Sequence, residues 1–274
     1  MPKKSYVNFL LIIVGTLLLI SGAGFKGYHF WFAHNFKIRN SKEFLISGIF
    51  QTGPKKEAIL TSKLAELVGL SKDKPVHIYD FDEKEAEKKL LSFPVFKEVK
   101  IQKKKPSSIL IDYTIREPLA KVKDYLDIVI DEEGVLFPYT EFYTQKNIPD
   151  IFLGVMDATE LNEKKTLSLK VLKIAQEMLK PVAFHVQLVD VSSAFIESFS
   201  KREVVLTIDQ DSQGYKFPYL LRMNVLDLEK QLSNFLVLSK ELIKQQKLWS
   251  KLNQSANPKP KVIDLRLDGM ALIE

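Results

Sequence analysis

Residues Ser5 to Phe25 form an uncharged run of 21 residues, SYVNFLLIIVGTLLLISGAGF. At about 1.5 Å rise per residue, a helix of this length covers roughly 30 Å, the hydrocarbon thickness of a bilayer. Lys3 and Lys4 precede it, and Tyr28, Phe30, Trp31 and Phe32 follow, ring types that favour the membrane interface. The positive-inside bias, slightly weakened by Lys26, puts residues 1–4 in the cytoplasm and everything after about residue 33 across the membrane. Two other readings compete. A buried core helix is rarely apolar on every side, or placed at a terminus. A cleaved signal peptide draws support from the small residues Ser21-Gly22-Ala23, against which stand the long apolar core and the aromatic cluster after it.

About 240 residues remain beyond the anchor, enough for two modest domains. Charged residues are 27% and hydrophobic ones 46%, ordinary for a folded chain. The net charge of +6 is dispersed apart from Lys103-Lys104-Lys105. A basic face interleaved with aromatic residues is missing, so nucleic acid is not an expected partner. With no cysteine, disulfides and thiolate metal sites are excluded.

The pattern predicts an α+β chain. Glu43–Ile49 reads as a strand, and Thr52-Gly53-Pro54 as the start of a helix that Gly69 closes, with Leu60, Leu64, Leu67 and Val68 on one face. Asp82 and Glu85 form a capping signature for a second helix with Ala86, Leu90 and Leu91 buried, stopped by Pro94. Val99 and Ile101 mark a strand, Lys105-Pro106-Ser107 a turn, and Ile109, Ile111, Tyr113 and Ile115 one face of the next strand.

Past Pro118 strands dominate. Residues 126–130 and 135–137 flank Asp131-Glu132-Glu133-Gly134, a hairpin loop expected to be solvated. Ile148-Pro149-Asp150 reads as a turn. Helices are expected at 167–179 and 226–248, and strands at 183–191, 203–209 and 215–222, with a loop at 253–261. Val262–Leu267 and Met270–Ile273 read as a hairpin closed by Asp268-Gly269.

Several of these stretches together resemble the FtsQ/DivIB family of bacterial cell-division proteins. They are Ile46-Ser47-Gly48, the run from Leu91 to Val99, Lys105 to Ile111, Glu117-Pro118-Leu119-Ala120, Asp131 to Phe137, Ile148 to Gly154 and Ile263-Asp264-Leu265-Arg266. Leu267 stands where the family often has an aromatic residue, and residues 155–200 match only in outline. The resemblance implies a cytoplasmic tail at 1–8, a transmembrane helix and interfacial stem at 9–33, a POTRA domain (β-α-α-β-β) at 37–117, and a mixed β domain with long helices and a C-terminal β-hairpin at 118–274. It further implies a single-pass protein of the inner membrane at the division septum, with its bulk periplasmic or extracytoplasmic. Its partners would be small single-span proteins like FtsB and FtsL.

No catalytic residue, metal site or cofactor is expected. His29, His34, His77 and His185 lack ligand spacing, and phosphate loops and hydrolase motifs are missing. Glu83, Glu85 and Glu87, alternating with lysines, read as an exposed salt-bridged face. The expected function is binding. The last strand should leave an open edge for an incoming segment, with Arg266, Leu267, Asp268, Gly269, Met270, Ala271, Leu272, Ile273 and Glu274 as partner-binding residues and Arg266 orienting the hairpin. Two alternatives remain. A POTRA-containing factor for outer-membrane protein assembly or secretion would need a following barrel, for which there is little room. A membrane-anchored hydrolase would assemble its residues only in space.

Overall fold

The structure is a computed structural model that describes residues 21, 25–53, 58–154, 158–212, 215–252 and 259–273. The expected span Ser5–Phe25 lies, apart from Ser21 and Phe25, outside the described residues. Among the described residues no helix is long and apolar enough to cross a membrane. The architecture is α+β, with two sheets, and the chain divides into units Met1–Thr114 and Ile115–Glu274.

The first unit begins with helix α1, residues 25–39. Then come β1 (Gly48–Thr52), α2 (Thr61–Leu67), α3 (Glu83–Leu91), β2 (Phe96–Lys104) and β3 (Ser108–Ile115), with sheet order β1-β3-β2. β1 runs parallel to β3. Ile109, Ile111, Tyr113 and Ile115 are buried along one face of β3, as their alternation predicts. Leu64, Val68, Ala86 and Leu90 of the helices are buried as well. Burying a side chain such as Leu90 stabilises by roughly 1.5–3 kcal/mol.

The first strand is displaced from its expected position. Lys42–Phe44 is a 3-10 turn, capped by the Ser41 hydroxyl, which accepts from Glu43 N–H at 3.3 Å. Ile46 N–H donates to Val76 O and Ile78 N–H to Phe44 O, both at 2.9 Å. A short apolar run reads the same whichever segment pairs with it, so its pattern could not place β1. Thr52 ends β1 instead of opening a helix, and Pro54 lies outside the described residues. Tyr113 sets that junction. Its Oη accepts from Ile59 N–H at 2.9 Å and donates to Gln51 Oε1 at 3.0 Å. A Cβ on Gly53 would stand 2.7 Å from the same ring. Leu60 and Leu91, expected to be buried, are exposed.

The Asp82 cap forms, accepting from Glu85 N–H at 3.1 Å. The expected exposed acidic face of α3 does not hold for two of its glutamates. Glu87 accepts from Ile101 N–H at 2.8 Å and Glu83 from Lys103 N–H at 2.7 Å. α3 thus covers main-chain donors of β2, an edge strand.

The second unit holds β4 (Ala120–Val122), β5 (Ile128–Ile130), β6 (Leu136–Pro138), β7 (Asp150–Phe152), α4 (Ala158–Leu179), β8 (Phe184–Asp190), β9 (Val204–Ser212), β10 (Tyr215–Met223), α5 (Leu228–Leu252), β11 (Lys261–Asp264) and β12 (Leu272–Ile273). Its nine strands follow the order β12-β11-β10-β9-β8-β7-β4-β5-β6. Two parallel pairs, β7–β8 and β10–β11, are joined by crossovers through α4 and α5. Val204, Leu206, Ile208, Tyr219, Leu221 and Met223 of the sheet share one core with Leu172 and Ala175 of α4 and Leu232 and Phe235 of α5.

Three expectations change here. Asp150 opens β7 and is not part of a turn. α4 starts nine residues before the expected Leu167, at Ala158. Lys164, in the polar stretch NEKKT, is buried because its ammonium donates to Ser192 O at 3.1 Å and Gly154 O at 3.3 Å and pairs with Glu160 at 3.0 Å. The loop after β5 is also not simply solvated. Asp131 is buried and accepts from Arg116 at 2.7 Å, Glu133 N–H at 3.0 Å and Val135 N–H at 2.8 Å. Asp131→Ala would strand these donors, and a loss of about 2–4 kcal/mol is expected, readable as a lower urea midpoint of the full chain.

Candidate functional site

The expected partner-binding residues lie at one end of the nine-stranded sheet. β11 follows β10 in parallel, with Arg222 opposite Asp264. β12 then pairs antiparallel with β11, Ile263 opposite Ile273 and Asp264 opposite Leu272. β12 is the outermost strand, and its far side carries no strand among the described residues.

Main-chain directions follow from one bond. Leu265 N–H donates to Arg222 O at 2.8 Å, so Leu265 and Ile263 direct their backbone groups to β10. Asp264 therefore faces β12 and exchanges bonds with Leu272. Ala271 and Ile273, one residue to either side, turn their N–H and C=O groups outward.

The hairpin differs from the expected two-residue Asp-Gly turn. β11 stops at Asp264, and seven residues, 265–271, make the connection. The Arg266 side chain explains the early stop. It folds back on Asp264, with Nη2 at 2.6 Å from Oδ2 and Nε at 3.0 Å from Oδ1. Nη1 donates to Ser200 O at 3.0 Å and lies 3.2 Å from Glu203. Glu203 also holds Arg222 at 2.8 Å. The guanidinium fork thus clamps the base of the connection to the segment before β9. Gly269 adopts φ +70, with open space around it, and Met270 N–H donates to Leu267 O at 3.2 Å. Lys230 of α5 meets Asp268 at 2.7 Å in an exposed pair.

Electrostatics follow this wiring. The hydrogen bond from Arg266 holds the Asp264 carboxyl below its ordinary value of 3.8, against the opposing effect of burial. The same bond raises the Arg266 guanidinium. A carboxyl whose pKa is depressed by folding contributes stability that is fully present above its unfolded value and lost as pH falls through the folded one. Asp264→Asn is therefore expected to lower stability at pH 7 by about 1–2 kcal/mol and to flatten the loss below pH 4. Thermal melts across pH 2–7 check this, with a parallel wild-type and variant acid limb as the contrary result.

Leu267, Met270, Leu272 and Ile273 are 51, 56, 54 and 49% exposed, so the edge offers apolar side chains beside its outward backbone groups. Two other edges carry guards. Tyr139 N–H turns inward to Asp127 O, which aims Pro138 of β6 outward, where it has no N–H to offer. β2 has its glutamate cover. Beside β1, a groove of about 990 Å³ runs along α2, bordered by Ile46, Ala65, Leu70 and Val76. Glu274 lies outside the described residues.

A polar cleft of about 760 Å³ in the second unit brings His185 and Asp209 together across β8 and β9. Asp209 accepts from Gln187, the extra residue of a bulge in β8, at 2.9 Å. No serine or threonine is among the described lining residues. Among the described residues no group of three or more His, Asp or Glu could hold a metal ion. The inward Arg266 clamp and the β2 cover were missed from sequence, because each depends on a carboxylate that only folding brings near. No family model matches the chain, and no curated protein matches it.

Proposed function

We propose that the chain is a non-catalytic scaffold of FtsQ/DivIB type, anchored in the inner membrane by Ser5–Phe25. It would receive small single-span division partners of FtsB and FtsL type at the septum and so help control septal peptidoglycan synthesis. The observation that carries this reading is the outermost position of β12, with Ala271 and Ile273 directing main-chain groups outward beside exposed Leu272 and Met270. A visiting strand would gain backbone hydrogen bonds there and selectivity from alternate side chains. Arg266 acts as a positioning residue, since its guanidinium is engaged by Asp264, Glu203 and Ser200.

The test is affinity capture of the full chain from detergent-solubilised membranes. Recovery of two small single-span coiled-coil proteins is expected. Recovery of barrel-assembly components instead would favour the assembly or secretion factor, a reading that the groove beside β1 supports because an extended segment fits such a site.

A further inference from the structure

We propose that the cleft where α1 meets Tyr79, in the first unit, seats the headgroup of an anionic phospholipid. The inference rests on the reading that Ser5–Phe25 spans a bilayer.

The cleft, of about 690 Å³, is lined by Trp31, Phe32, Asn35, Phe36 and Arg39 of α1 and by Tyr79. Large rings on a helix normally seek a core. Here Trp31, Phe32 and Phe36 are 62, 53 and 61% exposed. In sequence the uncharged stretch leads into α1, and rings of these types favour the interfacial layer of a bilayer. Arg39 stands three residues past Phe36, about 4.5 Å further along the axis, and its long arm carries a cation at the end of the ring-bearing stretch.

Charge selects the lipid class. Arg39 has no ion pair among the described residues, and no acidic side chain is among the described lining residues. Lys105, from the turn after β2, holds Nζ 5.0 Å from the centroid of the Tyr79 ring, which puts a second cation beside a ring that lines the cleft. Asn35 offers an amide to a glycerol or carbonyl oxygen. Two cations with no ion pair among the described residues, beside an aromatic wall, fit a phosphodiester carrying net negative charge, with its acyl chains along the rings. A zwitterionic choline headgroup would bring its own cation against Arg39 and Lys105.

The experiment titrates the full chain in nonionic detergent with dioctanoyl phosphatidylglycerol, dioctanoyl phosphatidylcholine or inorganic phosphate. Trp31 emission is read after Trp249→Phe removes the other tryptophan. A saturable shift with the glycerol lipid is expected, at least tenfold weaker with the choline lipid and absent with phosphate. R39Q and K105Q each lose one solvent-screened charge contact to the phosphodiester, so each should weaken binding about fivefold, and both together about 30-fold. Both side chains are exposed, so the fold is retained. An equal response to the choline lipid or to phosphate, or unchanged affinity in the double variant, would overturn the proposal. Alkaline carbonate extraction tests the span separately. Release of the chain from membranes would overturn that reading, and the detergent titration reads the cleft either way.

Discussion

Ending the chain after Gly269 is expected to abolish partner capture, and Ala271→Pro to weaken it at least tenfold, with membrane insertion unchanged in both. Truncation removes β12 entirely. Proline at 271 removes an outward main-chain donor and also restricts Met270 before it. Ala271→Leu is the informative companion. It keeps the N–H and changes only the side chain, so capture should persist. Quantitative pulldown from detergent extract, with the variants matched for expression, reads all three. Full capture by the truncated chain would remove β12 from the binding account. Loss in Ala271→Leu equal to that in Ala271→Pro would move recognition from backbone to side chains.

Gly154→Ala should lower stability by about 3–5 kcal/mol, combining a left-handed backbone with steric overlap. Gly154 sits at φ +59, and a Cβ there would lie 2.5 Å from Ser192 Cβ and 3.1 Å from its Cα. The neighbours have little room to yield. Asp124 accepts from Leu153 N–H at 2.7 Å and Gly154 N–H at 2.6 Å, and Lys164 ties Gly154 O to Ser192 O. A drop in melting temperature of roughly 10 °C is expected for a unit of this size, followed by circular dichroism of the full chain in detergent. A variant melting within 2 °C of the parent would mean that the 152–154 corner relaxes readily.

Legibility in the sequence tracked the range of the interaction involved. β3 was readable because Ile109, Ile111, Tyr113 and Ile115 alternate, and α3 because Asp82 caps it from the adjacent position. The apolar side of α5 was readable from Leu228, Leu232 and Phe235 for the same reason. Charged residues misled where their partners lay far along the chain. Glu83 and Glu87 look like solvent-facing helix charges until β2 is laid beside them, 20 and 14 residues away from their donors. Lys164 looks exposed until the carbonyls of Gly154 and Ser192 converge on it. At the candidate site, the position and apolar character of the last strand were legible. The length of the connection was not, because Arg266 turning back onto Asp264 overrides the local preference of Asp268-Gly269. No local pattern announces that reversal.

The proline that faces outward from β6 has a consequence for stoichiometry. A sheet that could be extended at both ends would let copies line up into an open-ended ribbon. Among the described residues of the nine-stranded sheet, addition at the β6 end meets Pro138, whereas the β12 end offers outward main-chain groups, so copies joining through this sheet would favour a closed pair. High local crowding would then favour pairs over a ribbon along this sheet.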